Sequence, residues 1–210
     1  MGAYRPIAEG FLERCMACLN LPDAEELDET TFMPSARSVA FRRSAIEAAG
    51  GYPEWLDIGE DMYVNHRWRE LGLDMRLARD AIVRWRLRPN LAETWGQYFR
   101  YARGDALAAM YPERHALRFA VYSGGLYAAT LHRRWPKALA LAGWLAYAAK
   151  PLRRALSRFD DPMERLAASA AVPALMAFVD AAKMAGYLAG LARRRAPAPG
   201  SFEDGSAAAP

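Results

Sequence analysis

At 210 residues and 53% apolar side chains, the chain is long enough for one domain or one and a half, and too apolar for global disorder. Its net charge of +4 is modest, but the charge is unevenly placed: Arg133 to Arg195 holds twelve Lys/Arg against four acids (Asp160, Asp161, Glu164, Asp180). That asymmetry points to an anionic membrane surface; nucleic acid is the other reading of basic charge, but no nucleic-acid motif accompanies it, so no nucleic-acid partner is expected.

Taken in chain order, residues 1–30 form a lead-in: a short amphipathic helix over Phe11 to Leu19, then an acid-rich solvated loop from Asp23 to Glu29. The helix carries the two cysteines, Cys15 and Cys18. A zinc site needs two further ligands, which His66, His115 and His132 do not supply as a matching pair, and a redox pair needs a thioredoxin-like strand before it. Two ordinary thiols on one helix face are expected, in a reduced, cytosolic setting. The N-terminus has no charged-then-apolar signal peptide.

Residues 31–90 read as mixed α/β. Ser38 to Phe41 is expected as a strand. Ser44 and Glu47 have capping-box spacing for a short helix that Gly50-Gly51 ends. A second helix is expected from Glu60 to Leu71, with Val64, Trp68 and Leu71 on one face and Gly72 as its cap. Leu73 to Leu77 and Ala81 to Trp85 read as strands, the latter after a turn at Arg79-Asp80. Residues 91–111 form one long aromatic-rich helix, and beyond it the chain is helical up to a disordered tail, Ala196 to Pro210. Three apolar stretches approach membrane-span character. Phe119 to Leu131 and Ala138 to Ala149 fall short of the roughly 20 residues a span needs. The second of these has basic residues on both flanks and fits an interfacial helix. Leu166 to Ala192 is long enough but contains Asp180 and Lys183, i, i+3 neighbours able to pair.

Glu60-Asp61 is the first constellation able to carry chemistry. At a helix N-terminus the dipole and free N–H groups favour ionised carboxylates, which suits a general base and equally suits a stabilising first turn. Gln97-Tyr98-Phe99-Arg100-Tyr101 is the second: Gln97 and Arg100 are i, i+3, and the guanidinium of Arg100 can bind a diphosphate. The sequence contains no G-x-G-x-x-G, P-loop, H-E-x-x-H or G-x-S-x-G motif.

Ala36 to Arg43, Gly50-Gly51-Tyr52-Pro53-Glu54, Gly59-Glu60-Asp61, Arg67 to Gly72 and Asp80-Ala81-Ile82-Val83 succeed one another in an order that resembles the second half of a family 2 glycosyltransferase of the GT-A type. Gln97 to Tyr101 is similar to the Q-x-x-R-W motif of processive members, with Tyr101 where Trp is usual. The resemblance implies an α/β fold class: a partial GT-A-like domain over 1–111, then an all-helical, membrane-associated region over 112–195, then the tail over 196–210. It implies Asp61 as the catalytic base of an inverting sugar transfer, with Glu60 beside it, and Gln97, Arg100, Tyr101 and Arg103 as substrate-binding residues. It implies a nucleotide-sugar donor, a lipid or polysaccharide acceptor, and the cytoplasmic face of a membrane. A divalent metal, Mg or Mn, is expected for the complete enzyme, although the Asp-x-Asp ligands do not occur in this sequence. Gly2-Ala3-Tyr4-Arg5-Pro6 resembles the segment just after the metal-binding strand, so the donor-binding half is expected upstream or on a separate chain. The alternative is a catalytically inert remnant or a membrane-associated interaction module.

Overall fold

The structure, a computed structural model, describes residues 2–22 and 26–194. Strand β1 (Gly2–Ile7) leads into α1 (Phe11–Asn20), and after a loop come α2 (Arg43–Ala48), α3 (Glu60–Glu70) and strand β2 (Ala78–Arg86). Four longer helices follow among the described residues: α4 (Leu91–Leu107), α5 (Pro112–Thr130), α6 (Arg134–Arg158) and α7 (Pro162–Arg193). The described residues are thus mostly helical with a small parallel sheet, α/β in the first part and helical from Leu91 to Arg193. The expected tail lies outside the described residues.

Local chemistry sets the helix ends. Both α2 and α3 finish in Schellman turns. Gly51 N–H donates to Ile46 and Gly50 N–H to Glu47; Leu73 N–H donates to Trp68 and Gly72 N–H to Arg69. These turns require the left-handed region, which Gly50 (φ 83°) and Gly72 (φ 65°) adopt without strain. The expected capping box at Ser44 does not form. The α2 N-cap is Arg42, and Glu47 instead takes a hydrogen bond from Arg43 at 2.7 Å, one turn away. Helix α4 stops at Leu107 rather than near 111, because Ala109 and Tyr111 are left-handed (φ 55° each) and turn the chain into Pro112, the first residue of α5.

Two strand expectations are corrected, and the third, Ala81 to Trp85, forms within β2. Ser38 to Phe41 is replaced by a 3-10 turn over Ala36–Ser38 and ladder-free chain, and Leu73 to Leu77 is outside any ladder. Alternation identifies a face, but a strand also needs an edge to pair with. The pair that forms joins β1, expected only as lead-in, to β2 in parallel register, Tyr4 with Val83 and Arg5 with Arg84. The turn placed at Arg79-Asp80 lies inside β2. The acid-rich loop is also more engaged than a solvated run: Glu26 pairs with Arg154 of α6 at 2.5 Å, and Glu29 accepts the N–H of Leu77.

The core centres on α7. One cluster joins Met16 of α1 and Leu21 just after it, Tyr98 of α4 and Val179 and Ala182 of α7. Another packs Cys15 and Cys18 against Ala155, Phe159, Ala168 and Val172. Burial pushes the Cys15 thiol up to about 11, with the Cys18 charge adding to it, so both cysteines behave as packing groups. Helices α4 and α7 approach backbone to backbone at glycines. A Cβ on Gly186 would overlap the Phe99 carbonyl, and one on Gly190 would lie 2.6 Å from the Arg103 carbonyl oxygen. By length and composition α7 could cross a membrane. Yet its buried face, from Val172 through Asp180 to Gly190, packs against protein, with α1, α4, α5 and α6 all contacting it.

Gly186→Ala is expected to destabilise the fold by about 2–3 kcal/mol, because the obstacle is backbone and cannot step aside. Gly143→Ala, in α6 with nothing within 4 Å of the new Cβ, should stabilise by about 0.5–1 kcal/mol. Urea denaturation of the two variants checks the contrast.

Candidate active site

A cleft of about 670 Å³ opens where the N-terminus of α3 faces α4, α5 and α7. Its size falls within the roughly 300–1,000 Å³ of small-ligand sites. Gly59, left-handed at φ 87°, swings the chain into α3 and presents Glu60 and Asp61 in the first turn, both lining the cleft. Asp61 accepts the N–H of Met62 at 2.8 Å on Oδ1 and that of Ala36 at 3.1 Å on Oδ2. A carboxylate has about four acceptor positions, so two are used and the rest are available to a ligand. Asn65 and Arg69, one and two turns further along the same face, bond to the carbonyls of Pro34 (2.6 Å) and Phe32 (2.7 Å). One face of α3 therefore holds the 30–36 loop and fixes the orientation of Asp61.

The second constellation divides. Gln97 is buried. It accepts from Arg88 Nε at 3.0 Å and donates to the Tyr101 hydroxyl at 2.9 Å. Tyr101 lines the cleft, so Gln97 positions Tyr101 rather than meeting a ligand itself. Arg100 is exposed and does not line the cleft. At i+3 it is rotated by about 60° from Gln97, whereas Tyr101 and Asp105 continue the i, i+4 stripe that faces inward. Arg103 stands at the margin, 3.9 Å from Asp57.

Behind the cleft lies a buried relay that sequence spacing does not assemble. His115 Nε2 is 3.0 Å from Asp105 Oδ2, and His115 Nδ1 is 3.1 Å from Arg118 Nη1. Arginine can only donate, so His115 Nδ1 accepts and Nε2–H donates to Asp105; the imidazole is held as one neutral tautomer. Tyr187 stacks on that ring at 3.9 Å between centroids. Arg118 Nε in turn donates to Asp180 at 2.6 Å, and Asp180 also accepts from the hydroxyls of Tyr122 and Tyr147, each at 3.0 Å. The expected Asp180–Lys183 pair is thus corrected: the partner of Asp180 is Arg118, from another helix. Lys183 turns to the cleft, its ammonium 5.0 Å over the Tyr98 ring. The usable sequence signal was the acid and base inside an apolar helix; nothing in sequence linked them to His115 and Arg118.

Burial, reinforced by the Arg118 charge and opposed by Asp180, lowers Lys183 to about 8. Burial is also the main reason Tyr147 is pushed up to about 12, with the Asp180 charge second. Tyr111, at the cleft wall, is likewise pushed up to about 12 by burial.

The donor set of this cleft does not fit a divalent metal. Among the described residues no three His, Cys, Asp or Glu groups converge, and Asp105 and Asp57 face His115 and Arg103. No family model, no curated protein and no solved structure matches the chain.

The lysine gives a stability prediction. Its folded-state value lies below the ordinary 10.5, so the unfolded chain binds the extra proton between pH 8 and 10.5. Stability contributed by this site is present above 10.5 and is lost as pH falls through 8. Lys183→Met should therefore raise stability at pH 7 by about 1–3 kcal/mol and remove the rise between pH 8 and 10.5. Thermal melts of both proteins across that range measure it.

Proposed function

We propose that this chain is the acceptor-side portion of an inverting, family 2-like glycosyltransferase acting on a lipid-linked or cell-envelope acceptor at the cytoplasmic membrane face. The observation that carries the reading is Asp61: a carboxylate at a helix N-terminus, oriented by two backbone N–H groups, opening on a cleft of ligand size. In this reading Asp61 takes the proton of an acceptor hydroxyl while that oxygen forms a bond to the anomeric carbon. The bond from that carbon to the donor's diphosphate breaks, and its electron pair leaves with the diphosphate. Glu60 stands beside the base, and the Tyr101 hydroxyl, fixed by Gln97, orients the acceptor. Proton removal of this kind is worth about 10² to 10⁴ in rate.

The donor half and its metal belong, in this proposal, to polypeptide other than the residues described. The sheet supports this: each of its two parallel strands has one unpaired edge, and Ile82 of β2 is exposed. Parallel sheets are ordinarily larger and covered on both faces. The membrane part of the reading rests on α5 and α6. They expose Leu126, Tyr127, Trp135, Leu139 and Leu141 next to Arg133, Arg134 and Lys137, the makeup of an interfacial surface rather than a crossing.

A second reading, an inert interaction module, draws on the structural work Asp61 already does in anchoring Ala36. The two readings diverge when the chain is combined with the polypeptide that supplies the donor half: stabilisation by nucleotide sugar and Mn²⁺ beyond that of the donor half alone is expected only of the transferase, since binding to the native state must raise its stability. In the donor-competent enzyme, Asp61→Asn is expected to lower transfer by about 10² to 10⁴ while nucleotide-sugar binding persists. Unchanged turnover overturns the assignment. In flotation, the protein is expected to rise with vesicles containing anionic lipid; failure to float removes the membrane placement.

A further inference from the structure

The relay leaves a surplus of positive charge on the α5–α7 wall of the cleft. Asp180 is already satisfied by Arg118, Tyr122 and Tyr147, and Asp105 by His115. Two cations remain. Arg114 lies over the Tyr111 ring at 4.4 Å, and Lys183 lies over Tyr98. Among the described residues neither has a carboxylate within ion-pair distance. Arg118 lines the same cleft, its plane fixed through Nε on Asp180 and Nη1 on His115, with the Tyr147 hydroxyl also bonded to its guanidinium. Arg114, Arg118 and Lys183 line one wall of a cleft whose lining elsewhere includes Asp57, Glu60, Asp61 and Asp105, and Asp180 offsets the charge of Arg118. The three cations act together once an anion with several oxygens enters beside them. Three donors on separate side chains suit a tetrahedral group better than a planar carboxylate.

We infer that Arg114, Arg118 and Lys183 bind a phosphoryl group, a phosphate or diphosphate ester, on the α5–α7 wall of the cleft. Tyr122 connects this wall to a second feature. Its hydroxyl is bonded to Asp180, and it also lines an open apolar groove of about 530 Å³ between α5 and α6 with Val121, Leu126, Leu141 and Trp144. An alkyl chain lying in that groove would bring its phosphate toward the three cations. A lipid phosphate and a soluble diphosphate share the head-group chemistry. Assigning the phosphoryl group to a sugar acceptor rests on the transferase reading of Asp61; the binding itself does not.

The test titrates the purified chain with inorganic pyrophosphate and a nucleoside diphosphate. It then floats the chain with phosphatidylcholine vesicles carrying either a single-chain alkyl phosphate or phosphatidylglycerol at equal charge. The wild type is expected to bind at least one phosphoryl probe. Lys183→Met and Arg114→Gln should each weaken that binding by ~10-fold or more, as for loss of a charge-assisted hydrogen bond. Melting of Arg114→Gln near the wild-type temperature and of Lys183→Met at or above it shows that the loss is not unfolding. Preference for alkyl phosphate over phosphatidylglycerol vesicles, lost in Lys183→Met, identifies a lipid source. Response to the soluble diphosphates alone identifies a free diphosphate, and both outcomes support the wall. No response to any probe, or an undiminished response in both variants, overturns it. Asp61→Asn should keep or tighten phosphoryl binding. A variant that binds normally and also transfers normally would remove Asp61 as the base and leave the wall standing.

Discussion

The buried carboxylate of Asp180 is the interaction on which the helical layer depends. A charge in that position is tolerable only if donors surround it, and here they come from two other helices: Arg118 and Tyr122 of α5 and Tyr147 of α6. Removing any one leaves the rest under-satisfied, so the three helices are held in one relative arrangement. The relay extends this constraint to α4 through Arg118, His115 and Asp105. Glycine contacts at 186 and 190 then bring α4 and α7 together at backbone distance. The cleft inherits its rigidity from these contacts, because four of the residues that shape it belong to the relay or adjoin it.

The same arrangement creates a tension between stability and function. Lys183 sits where burial and the Arg118 charge both disfavour its ammonium form. Nothing in the packing requires a cation there: Asp180 is satisfied without it, and Tyr98 would accept an apolar neighbour equally well. Arg114 adds a further positive charge to the same wall. Residues that cost stability and line a cleft are where binding chemistry is expected. Asp61 is different in kind, since it both stabilises α3 and anchors the 30–36 loop. A structural role and a chemical one therefore coincide in a single side chain.

Apolar surface is divided between two uses. One face of α7, from Val172 to Gly190, is taken up by protein neighbours, while about a third of its most apolar window is buried and its length and composition would permit a crossing. Exposed apolar surface lies on α5 and α6, among basic residues, and also on α7 at Met163, Leu166, Leu188 and Leu191. Composition alone cannot separate these cases, since a core helix and a spanning helix share the same residues; what differs is which neighbours cover them.

By itself the sequence determined the helices, their glycine caps at Gly50 and Gly72, the first-turn placement of Glu60 and Asp61, and the packing role of the cysteines. All of these stem from short-range spacing. Tertiary structure decided the rest. Ser38 to Phe41 and Leu73 to Leu77 have strand composition but find no edge to pair with, whereas Gly2 to Ile7 finds one in β2. Gln97 and Arg100 share a motif but not an environment, one buried and the other in water. Asp180 had a cation three residues away and took its partner from a helix 62 residues earlier. Local spacing fixes which side chains share a face, but partners across helices depend on how those helices dock, and docking is set by burial and backbone contact rather than by any pattern within one segment.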